Sequence, residues 1–148
     1  MAKAAGTSDR MLIYHFGNKE RLISDVLAHI ADVYAAALDE SFGGEPCKSR
    51  EECLQRILGH TGNTAMEPFI ALWWEIVAGC ARGHAGHREA AQAIMTRLLT
   101  WLEAHMPPDD PDPQGGARYL LTLIEGTQML SAIGQEEIAL DGLAASGL

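Results

Sequence analysis

No stretch of this chain alternates apolar and polar residues over a useful length, so nothing in it reads as a strand. No apolar run reaches the roughly 18 residues that a membrane span needs. The N-terminus lacks the apolar core of a secretory signal, so the expected location is cytoplasmic. Cysteine is scarce: Cys47, Cys53 and Cys80 are an odd number with no CxxC spacing. That argues against a disulfide framework and against a four-thiolate zinc site. Catalytic signatures are missing too. There is no Gly-x-Ser-x-Gly elbow, no phosphate-binding loop and no HExxH. The chain is therefore not read as an enzyme, and no catalytic residue or cofactor is expected. No repeat occurs at any period.

Basic residues are also few. The chain holds 11 of them against 20 acidic ones in 148 residues. They are unevenly placed. Residues 1–23 carry Lys3, Arg10, Lys19 and Arg21 against Asp9 and Glu20, and everything after is strongly acidic. A small basic head on an acidic body fits a phosphate-contacting end joined to a body that avoids nucleic acid.

What is present is helical patterning. With 47% apolar and 21% charged residues, the chain fits one globular domain large enough to bury a core. Ser8 can cap a short helix over 9–15, with Gly6 in the turn before it. Asn18 can cap a long helix from Lys19, whose Leu22, Ile23, Val26, Leu27, Ile30, Val33, Tyr34 and Leu38 share one face. That helix ends near Phe42 at Gly43-Gly44. Ser49 with Glu52 forms a capping box, and the helix it opens closes near Gly62. Pro68 suits a first helical turn. The following "FIALWWEIVAGCA" is apolar nearly all round, which predicts a central helix. "HREAAQAIMTRLLTWLEAHM" is amphipathic. "PPDDPDPQGG" predicts a surface loop. A mostly apolar helix over 117–133 and a short last one, "EEIALDGLAA", complete an all-α fold of about eight helices.

The segment "AKAAGTSDRMLIYHFGNKERLISDVL", Ala2 to Leu27, resembles the TetR family of bacterial transcriptional regulators. The resemblance rests on Ala5-Gly6, Ser8, Leu12, Tyr14-His15-Phe16, Lys19-Glu20 and Leu22 at fixed spacings. Beyond it the likeness is architectural: a linking helix, then an all-helical body. It implies a ligand-responsive regulator, repressor or activator, whose recognition helix enters the major groove. Asp9, Arg10 and Met11 would then meet base edges, Arg10 reaching a guanine bidentately. Thr7, Ser8, Tyr14, His15 and Lys19 would hold backbone phosphates of operator DNA. The sequence also departs from the family. Ile13 stands where a tyrosine is common, Asp9 brings negative charge to a negative groove, and the first helix and most of the second are expected to be missing, so DNA binding by the chain as given is expected to be impaired. The resemblance divides the chain into a remnant of the DNA-binding head (1–18), a linking helix (19–42) and a ligand-binding and dimerisation body (43–148).

Such bodies bind an apolar or amphipathic small-molecule effector and pair as homodimers through their last two helices. Here Met66, Phe69, Trp73, Trp74, Met95, Leu98, Trp101 and Leu102 are the candidate effector lining, with Glu75, Gln92 and Thr96 as candidate polar contacts. Leu120, Leu123, Ile124, Thr127, Leu130, Ser131 and Ile138 are the candidate dimer contacts. The same residues also suit burial within one chain. The alternative function is a stand-alone helical module that binds a small molecule or a protein and does not touch DNA. No metal site is expected. Cys80, His84 and His87 lack a fourth ligand and sit among Gly83 and Gly86. The Asp109-Asp110-Asp112 run lacks the remaining features of a calcium loop and predicts a solvated turn.

Overall fold

The computed structural model describes residues 19–84 and 86–148. Among them there are six α-helices, one 3₁₀ turn and no strand. The helices are α1 (Lys19–Phe42), α2 (Arg50–Thr61), α3 (Glu67–Ala81), α4 (His87–His105), α5 (Pro113–Ala132) and α6 (Glu136–Ala145), with the 3₁₀ turn at Thr64–Met66 before α3. The all-α class holds. The short helix expected over 9–15 lies outside the described residues, and the count of about eight is not reached within them.

Helix ends follow local chemistry. Gly43 ends α1 with φ +61°, a left-handed turn open to glycine at no steric cost. At α2 the Ser49 hydroxyl accepts from the Glu52 amide at 3.1 Å. The returning half of the box is shifted by one residue: the Glu52 carboxylate takes the amide of Lys48 at 2.6 Å. Pro68 stands in the first turn of α3.

The stretch expected as a loop, 107–116, is helical in its last four residues. α5 starts at Pro113, where a missing amide proton costs nothing, and Asp112 caps it by accepting from the Gly115 amide at 3.0 Å. The turn before it is not solvated as expected. The Asp110 side chain is only 3% exposed and is gripped by Arg50 of α2, with Nε and Nη2 each 2.7 Å from a carboxylate oxygen. The amide of Asp112 adds a third bond at 2.9 Å. Arg50 crosses Gly116 so closely that a Cβ there would lie 2.8 Å from its guanidinium carbon and 2.6 Å from Met106 Cε.

The central element is α4, which packs against α1, α3 and α5; α2 lies on α5 and α1, and α6 on α5. The apolar α3 is therefore peripheral, against expectation. It leans chiefly on α4, and only Ile76 and Gly79 are fully covered. Two apolar clusters result. The larger joins Leu38, Cys53, Ile57, Trp101, Leu102, Leu120 and Ile124. The smaller gathers Ile76 and Ala90 with Ile30, Leu72, Trp73 and Ile94. The end of α4 is locked into the larger one, because the His105 carbonyl accepts from the Cys47 amide at 2.8 Å and from the Cys53 thiol at 3.2 Å. Burial, and then the neighbouring Cys47, push the Cys53 thiol well above its ordinary pKa, so it stays a protonated donor.

Candidate functional site: an apolar cleft with one carboxylate

Between the two clusters the helices do not close completely. A half-open cleft lies among α1, α3, α4 and α5. α1 supplies Ile30 and Tyr34; α3 supplies Phe69, Ile70, Leu72, Trp73 and Ile76. Ile94, Met95 and Leu98 come from α4, and Glu125 and Gln128 from α5. The lining is aliphatic and aromatic except at the α5 wall. This is the composition of a site that holds an apolar body and orients it by a few polar atoms.

Glu125 is the chemical centre of the cleft. Its Oε2 accepts from the indole N–H of Trp73 at 3.0 Å, the only hydrogen bond its carboxylate makes among the described residues. Burial raises its pKa, and the indole hydrogen bond opposes that only in part. Tyr34 shares the environment: burial first, and the Glu125 charge second, hold its phenol well above the ordinary value. The Tyr34 ring meets His60 of α2 edge-on, centroids 6.0 Å apart, and burial lowers the pKa of His60.

Four of the eight residues chosen from sequence as effector lining border the cleft: Phe69, Trp73, Met95 and Leu98. The other four lie elsewhere. Trp74 is the chain neighbour of Trp73 and so points about 100° away around α3; its indole N–H is buried with no acceptor among the described residues. Met66 is buried in the 3₁₀ turn. Trp101 and Leu102 sit one turn beyond Leu98, inside the larger cluster, where Trp101 stacks on His105 with centroids 3.9 Å apart. Glu75, Gln92 and Thr96 all face outward. The polar atoms of the cleft belong instead to Glu125, Gln128 and Tyr34. One signal pointed to Glu125: it is the lone acid in the otherwise apolar and neutral run from Tyr119 to Ile133.

The candidate dimer residues divide. Leu120 and Ile124 are fully buried in the chain's own core, and Leu123 packs against it. Thr127 and Leu130 are half-buried; Ser131 and Ile138 are exposed. Leu140, which the sequence places beside Ile138 on the last helix, is exposed too, and Met129 and Ile133, not chosen from sequence, add exposed apolar side chains towards the α5–α6 turn. Of the candidate DNA contacts, Thr7, Ser8, Asp9, Arg10, Met11, Tyr14 and His15 lie outside the described residues. Lys19 is the first residue of α1, and its side chain is not described. Among the described residues no three His, Cys, Asp or Glu side chains are placed to share a metal ion, although the His84 and His87 rings meet edge-on at 5.3 Å. Among them, too, no helix is long and apolar enough to cross a membrane. Compared with protein-family models, curated proteins and solved structures, the chain matches none.

Proposed function

We propose that this chain is a TetR-type ligand-responsive transcriptional regulator whose helical body senses a small apolar or amphipathic molecule. One observation carries the reading. Ile30 and Tyr34, two walls of the cleft, stand on α1, the helix that begins directly after the "SDRMLIYHFGN" motif. A molecule seated against them pushes on the element that carries the reading head. Ligand occupancy and head orientation are then one equilibrium, which a ligand shifts by its differential affinity for the two arrangements. The exposed Met129, Ile133, Ile138 and Leu140 supply an apolar surface of the kind that pairs two copies of a regulator, as binding to two half-sites requires.

The test is a mobility-shift assay on DNA from upstream of the gene, using protein expressed from its longest in-frame reading. Sequence-specific binding that weakens steeply with salt and loses preference at one base position in Arg10→Ala is the expected result. Light scattering on the same sample should give a dimer. Failure to distinguish upstream DNA from random DNA would overturn the regulator reading. It would leave the stand-alone ligand-binding module in its place.

A further inference from the structure

We propose that the cleft selects a cationic amphiphile: a protonated amine on an apolar body, the amine paired with Glu125. This rests on the ligand-sensing reading of the cleft and goes beyond it by naming the chemical class.

Glu125 has hydrogen-bonding capacity that its neighbours leave unmet. A carboxylate offers about four acceptor positions and no donor. Glu125 uses one of them, on the Trp73 indole. Among the described residues no Lys or Arg borders the cleft, and none of them contributes to the electrostatic environment of Glu125. An ionised carboxylate in such a wall is costly unless something pairs it. The missing group must donate hydrogen bonds, and a cationic donor also cancels the charge. Charge-assisted bonds of that kind are the strong ones. An anionic ligand meets the opposite situation, with a like charge at the wall and no counter-ion. The rings of Phe69, Trp73 and Tyr34 line the same space and present electron-rich faces that also favour a cation. The aliphatic side chains of Ile30, Ile94 and Leu98 cover the apolar remainder of the ligand.

The experiment compares three probes of equal length on the purified protein: octylamine, 1-octanol and octanoate. Binding is read by the tryptophan fluorescence of the chain and confirmed by calorimetry. At neutral pH the amine is protonated, as a lysine is, and the acid is ionised. The expected order is amine, then alcohol, then acid, with the amine tighter than the alcohol by about tenfold or more. In Glu125→Gln, which keeps an acceptor for the Trp73 N–H, the amine and the alcohol should converge. Equal affinity of wild-type protein for amine and alcohol, or a preference for octanoate, overturns the cation assignment while leaving the cleft a binding site. Binding of none of the three overturns the ligand-sensing reading and this inference with it. The comparison on the wild-type chain decides the matter by itself should the variant fold poorly.

Discussion

Among the described residues two carboxylates, the covered Asp110 and the half-buried Glu125, have opposite effects, and both can be read in pH-dependent melting. Asp110 has its pKa lowered, chiefly by the hydrogen bonds of Arg50. A lowered carboxyl pKa contributes stability that is complete above the unfolded value, about 3.9, and is lost as pH falls through the folded one. Arg50→Ala should cost about 1–2 kcal/mol at neutral pH, moderated because Arg50 is itself 30% exposed and water can replace part of it. Urea unfolding should show that deficit shrinking below about pH 4. Glu125 behaves the other way. Its raised pKa means that folding favours the protonated acid, so the ionised form is a burden above its folded pKa and none below the unfolded value of about 4.3. Glu125→Gln should therefore melt higher than the parent at neutral pH, and the advantage should fade in acid. An unchanged melting temperature at pH 7 would show that Glu125 is adequately solvated and remove the cost on which its ligand preference is argued. A residue that weakens the empty protein and borders a cleft has the profile of a functional group. Neither effect was legible in sequence at full strength. Asp110 reads as one acid among several in a proline-rich turn, and its partner lies 60 positions away.

At the level of elements, sequence was most reliable where the signal is local. The Ser49 cap, Pro68 in the first turn of α3 and the stop at Gly43 depend on residues within one turn of each other, and all stand as read. It was least reliable where a helix end competes with loop composition. Four prolines and two glycines made 107–116 look like a loop, yet Asp112 followed by Pro113 is a helix start in itself. Asp112→Ala should cost about 1 kcal/mol, measured by denaturant unfolding, since it leaves the Gly115 amide without its acceptor. A change under a few tenths of that would mean the helix start is held by Arg50 instead, whose Nη2 reaches the Asp112 carbonyl at 3.3 Å. The misplaced centre has a different cause. Apolar content made α3 look central, but position in a bundle depends on how many neighbours a helix has. The amphipathic α4 has three and α3 chiefly one. Composition cannot reveal that count, and for the same reason sequence chose Trp74 along with Trp73 for the lining.

Over the whole molecule, the useful fact is that the apolar interior is divided. The larger cluster joins α2, α5, the end of α4 and Leu38 near the end of α1, and the smaller joins α3, the start of α4 and the middle of α1. The cleft runs between them, bordered by Tyr34, Met95 and Leu98 on one side and by Ile30, Trp73 and Ile76 on the other. A ligand seated there ties the peripheral α3 to α1 and α5, which the helix itself touches little. Occupancy at a hundredfold excess over the dissociation constant adds about 2.7 kcal/mol. For a chain of this size that corresponds to a melting shift of roughly 5–10 °C. Hydrogen exchange should locate the gain. Amides of α3 from Phe69 to Ile76 and of α1 around Ile30–Tyr34 open by separating the two clusters, so they should slow most when octylamine is bound. Amides of α2 and α6, whose side chains do not border the cleft, should slow only as far as global stability rises. Protection spread evenly over all six helices would mean that the molecule opens as a single unit. The division between the clusters would then be a matter of geometry and not of energy, and α1 could not relay occupancy of the cleft by moving on its own.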